Sequence, residues 1–233
     1  MGCMIDKAKI FELVRKEEEL MKEKLCLMLS KTGKLIVFEG IDGAGKTTVH
    51  RALQERMRNR DDIVFSQEPT NGKYGRKVRE VLKTGNISME ELLFLLIQDR
   101  IEHVKNVIAP SLKEGKIVIL DRYYLSTVAY LMSEHFSMRE LLFLNSLFSP
   151  APDLVVYFEI PVEEALKRVK KRGQMSVFEE EKKLREVLGN YERVLAYFDV
   201  RRINALCSIE ELVDKVEKIV LNFIEGNDVV WKC

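Results

Sequence analysis

At 233 residues and 27.1 kDa the chain can bury a substantial core, which suits one large α/β domain or a domain with an appendage. With 38 Lys+Arg against 37 Asp+Glu the net charge is +1, so no global field recruits nucleic acid or an anionic membrane, and partners have to be argued locally. Cys3, Cys26, Cys207 and Cys233 are scattered without a C-x-x-C pair, no apolar run reaches the roughly 18 residues of a membrane span, and the N-terminal stretch is too charged for a signal peptide, so the expected setting is a reducing cytoplasm without structural zinc.

The first segment, Met4 to Ser30, lacks proline and glycine and mixes Lys and Glu with apolar residues. Leu13, Leu20 and Leu27 fall on one seven-residue stripe and Val14, Met21 and Met28 on the next, which predicts an amphipathic helix ending near Gly33. Its apolar face can pack on its own domain, pair with a second copy in a homodimer, or fray as an extension. Residues 1–33 are therefore read as a helical extension, 34–224 as the main domain and 225–233 as a tail.

Lys34 to Glu39 (KLIVFE) is a short run of β-formers and reads as a buried strand. It leads into Gly40-Ile41-Asp42-Gly43-Ala44-Gly45-Lys46-Thr47, which fits G-x-x-x-x-G-K-[ST] at every fixed position, and a charged periodic helix follows to Arg60. Chance could produce such a glycine-rich turn, but with strand and helix on its two sides it predicts a phosphate cradle. The glycines let several N–H groups and the positive helix end face a triphosphate. Lys46 would reach the β- and γ-phosphates and Thr47 would hold Mg²⁺, so a nucleoside triphosphate is the expected ligand of Gly40 to Thr48.

Ile63 to Gln67 predicts a second strand, and Glu68-Pro69-Thr70-Asn71-Gly72 takes the chain out of the sheet at its carboxyl edge, where ligands bind in open α/β sheets. A helix from Tyr74 to Lys83 brings Arg76 and Arg79 towards that edge. Ser88, with Glu91 completing a capping box, opens a helix expected to run to Ala109 and to stop at Pro110. Its leucine-rich turn should be buried, so Arg100 needs an anionic partner, either in an ion pair or on a substrate. His103 reads as an exposed helix residue.

Lys116 to Leu120 predicts the next strand, followed at once by Asp121-Arg122. Alone, that pair could merely cap the next helix. Beside a phosphate cradle, the carboxylate suits a Mg²⁺ ion or its water and the arginine suits a phosphate. A helix from Tyr124 to Met132 carries Thr127 and Tyr130 on one face. Leu154 to Glu159 is a further strand, and Pro161 is expected at the first position of a helix ending in Arg168, Lys170, Lys171 and Arg172. That basic end is either solvated or belongs to a closing lid over Gly173 to Ser176. A helix from Val177 to Phe198, a short strand at Arg202 to Asn204 and a helix from Ser208 to Ile224 complete the chain. The alternation predicts a doubly wound, parallel, five-stranded α/β sheet flanked by helices, a P-loop NTPase fold with an extra N-terminal helix.

Five motifs then combine: F-E-G-I-D-G-A-G-K-T-T from Phe38, E-P-T with G-x-x-x-R from Glu68 to Arg79, Q-D-R-x-E-H from Gln98, D-R-Y-Y-x-S-T-x-A-Y from Asp121, and P-D-L from Pro152. In this order and spacing the chain resembles thymidylate kinases over about residues 34 to 224. The resemblance implies Mg·ATP-dependent phosphorylation of thymidine monophosphate, dTMP, in the supply of dTTP. It further implies that Arg122 grips the acceptor phosphate, Asp121 serves the metal, and Asp42 meets the sugar hydroxyl or orders Arg122. Glu68 and Pro69 would bind the substrate, Arg79 would reach the acceptor's phosphate end, Arg100 and Thr127 the thymine edge, and Tyr130 the sugar's 2′ position. Ala44 stands where some members carry a loop arginine, which implies a catalytic arginine from the lid, with Arg168 and Arg172 as candidates. Ser176-Val177-Phe178-Glu179 replaces the family's frequent D-R-F-E. Leu96 stands where the family commonly stacks an aromatic ring on the base, and Leu131 where many members have Gln. These departures leave two alternatives: a related nucleotide or nucleoside kinase with another acceptor, and a nucleotide-binding regulatory protein with little transfer activity.

Overall fold

The computed structural model describes residues 31–85, 87–171 and 181–227. The expected N-terminal helix, Arg172 with the lid loop after it, and the last residues of the tail lie outside these ranges.

The order of elements is β1 (Lys34–Glu39), α1 (Lys46–Arg56), β2 (Ile63–Gln67), α2 (Lys73–Thr84), α3 (Met89–His103), a π-helical turn (Val104–Ile108), α4 (Ala109–Lys113), β3 (Ile117–Asp121), α5 (Tyr124–Leu131), α6 (Met138–Ser146), β4 (Leu154–Glu159), α7 (Val162–Lys171), α8 (Glu181–Leu195), β5 (Val200–Asn204) and α9 (Ile209–Glu225). The strands form one five-stranded parallel sheet in the order β2-β3-β1-β4-β5. Leu35 to Phe38 of β1 and Val118 to Leu120 of β3 are fully buried, as strands covered by helices on both faces must be. Phe38 pairs with Asp121 on one side and Val156 on the other, so the carboxyl ends of β1, β3 and β4 lie level. The loops after β1 and β3 therefore emerge side by side, and the site is built there.

The α3 capping box is as expected: Ser88 Oγ accepts from the Glu91 N–H and the Glu91 carboxylate accepts from the Ser88 N–H. The expected stop at Pro110 is not where the helical path ends. It continues to Lys113 through the π turn, whose C-cap residue Ala109 donates its N–H to Val104 O. Pro110 has no N–H to give back along the helix, and the wider turn just before it makes room for the ring. Pro161 is also displaced by one position: its carbonyl accepts the first helical bond from the Ala165 N–H, so it is the cap before α7. The α6 helix was not anticipated, although Ser137 and Glu140 form a second capping box at its start. β5 begins at Val200, earlier than expected, because Arg201 and Arg202 give this edge strand a charged sequence.

Candidate active site

Conformations that only glycine tolerates shape the phosphate loop. Gly43 has φ 85°, and a Cβ there would sit 2.5 Å from Ala165 O of α7. Gly45, at φ 95°, precedes α1, whose first turn has no acidic residue and no side-chain cap among the described residues. Its leading N–H groups are thus left for an anion, with the helix dipole behind them. Lys46 lies 4% exposed, and its Nζ donates to Gly40 O and Ile41 O, each at 2.8 Å. Burial first, and Arg122 second, pull its pKa down to about 8. A phosphate oxygen in the loop would supply the countercharge that carbonyl dipoles replace only in part.

Thr47 Oγ1 donates to Asp121 Oδ2 at 2.5 Å, joining the start of α1 to the end of β3. The other oxygen, Asp121 Oδ1, is buried without a hydrogen-bond partner among the described residues. A hydroxyl and a carboxylate with one orphaned oxygen, beside a phosphate loop, fit a Mg²⁺ ion that shares its remaining ligands with water and phosphate. Among the described residues there is no cluster of three His, Cys, Asp or Glu side chains suited to a metal, and Mg²⁺ at a phosphate site does not need one.

Arg122 follows directly, at φ 69°, in the left-handed region that a side-chain-bearing residue rarely adopts. The turn is held by Glu39, fully buried at the end of β1. Its Oε1 accepts from the Tyr123 N–H at 2.9 Å and the Ser126 N–H at 3.2 Å, and its Oε2 from Ser126 Oγ at 2.5 Å and Tyr191 OH at 2.9 Å. Burial pushes the Glu39 carboxyl up, against these donors and the Arg122 charge. Glu39 thereby caps α5 from another element, and sequence reasoning had quoted it only as part of a motif. The Arg122 guanidinium donates from Nη2 to Asp42 Oδ1 at 2.7 Å and from Nη1 to Ser126 Oγ at 2.9 Å, and lies over the Tyr130 ring. Tyr130 OH donates to Asp42 Oδ2 and accepts from the Asp42 N–H. Burial, then the Asp42 charge, hold the Tyr130 phenol well above its ordinary value, so it stays a neutral donor.

Asp42, Arg122, Ser126, Thr127 and Tyr130 form one side of a cavity of about 240 Å³; Glu68, Pro69, Arg79 and Arg100 form another. Leu82, Leu92, Leu96 and Leu131 supply an aliphatic wall. The expected acceptor-site residues therefore converge. Arg79 is anchored at the mouth by donating to Pro69 O at 2.6 Å and Asn71 Oδ1 at 3.0 Å.

Of the two alternatives for Arg100 the ion pair is present, and the residue also borders the cavity. Its Nε and Nη2 donate to Glu68 Oε2 at 2.9 and 2.7 Å, Nη2 also to Thr127 Oγ1 at 3.1 Å, and Nη1 to Asn145 Oδ1. Asn145 belongs to the unanticipated α6. His103 is not exposed: at 4% exposure its Nδ1 is 3.0 Å from Glu68 Oε1 and its Nε2 is 2.8 Å from Ser66 Oγ. Its helix faces the second strand at this point, a contact that the local sequence does not encode. Burial pushes the Glu68 carboxyl up, but Arg100 and then His103 outweigh that and leave it below its ordinary value.

Arg168 is half-buried away from this cavity, donating to Ala205 O at 3.0 Å. It flanks the phosphate loop through α7, while the other candidate, Arg172, lies outside the described residues.

A family model described as thymidylate kinase matches residues 38–216, which span every element from the phosphate loop into α9. The chain belongs to the thymidylate kinase family. It is 40% identical over 203 residues to the probable thymidylate kinase of Pyrococcus abyssi, an alignment covering 83% of this chain and 98% of that protein. It is 41% identical over 189 residues to the thymidylate kinase of Akkermansia muciniphila, covering 81% and 91% respectively. The thymidylate kinase of Desulfotalea psychrophila is likewise 41% identical over 188 residues. Membership in this nucleotide-kinase family accounts for the pairing of a phosphate loop with a second, partly aliphatic cavity. Among the described residues, no helix is long and apolar enough to cross a membrane.

Proposed function

We propose that this chain transfers the γ-phosphoryl group of ATP to the 5′-phosphate of dTMP, forming ADP and dTDP. The observation that carries this reading is the Asp42–Arg122 pair, which ties the loop suited to a triphosphate directly to a cavity suited to a pyrimidine nucleotide. An acceptor phosphate oxygen attacks the γ-phosphorus, and the bond from that phosphorus to the β–γ bridging oxygen breaks, its electron pair leaving with ADP. The acceptor oxygen is already anionic, so no side chain has to remove a proton, and rate comes from positioning and charge neutralisation.

Each residue then has a defined task. The α1 amides and Lys46 bind the β- and γ-phosphates, and Arg122 orients the acceptor phosphate towards them. Thr47 and Asp121 would hold Mg²⁺, which when bound neutralises charge on the phosphate oxygens. Tyr130 closes the sugar side, and the one Arg100 N–H, on Nη1, that among the described residues is not used by Glu68, Thr127 or Asn145 suits a keto oxygen of thymine better than the amino group of cytosine. Arg168 and Arg172 remain the lid candidates for the transferring group, and self-association through the N-terminal segment remains the assembly to test.

Leu96 and Leu131 in the cavity wall favour one alternative, a kinase for another pyrimidine monophosphate. Measuring ADP release with Mg·ATP and each of the thymidine, deoxyuridine, deoxycytidine and deoxyguanosine monophosphates decides between them. The proposal expects the highest kcat/KM with dTMP. A higher value with another acceptor would replace the substrate, and turnover with none of them would overturn the kinase reading.

A further inference from the structure

We infer that His103 is a positioning residue for the acceptor base: by holding Glu68 it fixes the direction in which Arg100 presents its guanidinium. The inference rests on the reading of the cavity as the acceptor site.

Which atoms can donate sets the direction of the bonds around Glu68. Glu68 is held as a carboxylate by Arg100, so both its oxygens only accept. Its Oε2 is used by Arg100 Nε and Nη2, and its Oε1 faces His103 Nδ1 at 3.0 Å. Nδ1 therefore carries a proton. In the neutral ring Nε2 is then the acceptor, and Ser66 Oγ, 2.8 Å away, is its donor. A proton on Nδ1 thus links Ser66 through His103 and Glu68 to Arg100, and both donors to Glu68 point at its carboxylate.

The position of His103 explains why such a lock matters. Ser66 and His103 also border a second, polar cavity of about 470 Å³, while Glu68 and Arg100 border the acceptor cavity. The imidazole stands between the two spaces. Without its Nδ1–H, Glu68 Oε1 would lose a buried donor and the carboxylate would be free to turn towards water on the far side. Arg100 would turn with it, because two of its donors bind Glu68. Asn145 and Thr127 hold other parts of the guanidinium, so the expected defect is misorientation rather than loss of the arginine.

Two amides separate this role from simple packing. In His103→Asn the amide nitrogen takes the place of Nδ1 and can still donate to Glu68. In His103→Gln it takes the place of Nε2, reaching Ser66 but not Glu68. The expected result is an acceptor KM for dTMP within about threefold of native in His103→Asn and raised about 10- to 100-fold in His103→Gln, with the ATP KM unchanged in both. Equal acceptor KM values in the two variants, or a parallel loss in the ATP KM, would overturn the inference. Nitrogen NMR of the native protein labelled at histidine adds a readout that needs no variant: a His103 protonated at Nδ1 is expected, and one protonated at Nε2 alone would overturn it. Absence of native turnover on dTMP would sink the functional reading, whereas native turnover with equal Asn and Gln variants sinks this inference alone.

Discussion

Asp42 in the phosphate loop and Arg122 after β3 are joined by a 2.7 Å ion pair across 80 positions of sequence. Tyr130 bonds the second Asp42 oxygen, and Ser126 bonds the second arm of the guanidinium. The phosphate loop and Arg122 are thus joined by direct bonds. Asp42→Asn keeps the shape but removes the charge that aligns Arg122. Losing one charge-assisted hydrogen bond is worth about 1.5–3 kcal/mol, so kcat/KM for dTMP should fall about 10- to 100-fold. Steady-state kinetics check this, and an unchanged kcat/KM would show that Arg122 is aligned by Ser126 and Gly40 alone.

The orphaned oxygen of Asp121 gives a prediction about the metal. Asp121→Asn should raise the Mg²⁺ concentration needed for half-maximal rate by about tenfold or more, since one anionic ligand is lost from an ion that favours hard oxygen donors. Chelation of the metal should abolish turnover in the native protein. A variant with the native Mg²⁺ dependence would remove Asp121 from the metal site.

Glu68 ties stability to pH. Its carboxyl lies below the ordinary value of 4.5 when folded, so its contribution is fully present above that value and is lost as pH falls through the lower folded value. Glu68→Gln leaves Arg100 buried without its countercharge, at a cost of about 3–5 kcal/mol near neutral pH. The gap in Tm between native and variant should therefore be widest above about pH 5 and narrow on acidification below about pH 4. Thermal unfolding across this range tests it, and a gap that widens in acid would reverse the assigned sign.

Leu96 lines the acceptor cavity as part of an aliphatic wall. Base–aromatic stacking is worth about 1–3 kcal/mol, so Leu96→Phe should lower the acceptor KM by about fivefold or more while leaving the ATP KM unchanged. A raised acceptor KM would mean that the wall already fills the space the ring needs.

Much of this was legible because it is local. Period and punctuation indicated five parallel strands, and the residue types at the strand ends singled out Lys46, Thr47, Asp121 and Arg122, which the fold places at one edge of the sheet. What was not legible depends on contacts distant in sequence. Glu68 and Arg100 meet across 32 positions, and Arg100 and Asn145 across 45, so no periodicity could distinguish ion pair from substrate contact or expose His103 as buried. Asn145 was missed with its helix, although Ser137 and Glu140 carried a start signal for it. Pro110 misled because a π turn lets the helix pass a residue that ordinarily stops it.

The most direct test of the account is the rate of ADP formation from Mg·ATP and dTMP by the native protein and by Arg122→Ala, with nucleotide-free unfolding of both as a control for folding. The account predicts turnover in the native protein and a loss of about 100-fold or more in kcat/KM for dTMP in the variant, with the variant still folded at the assay temperature and its ATP affinity kept. Native-like turnover by Arg122→Ala would contradict it, because the acceptor phosphate would then be held by something other than the residue to which the whole site is tied.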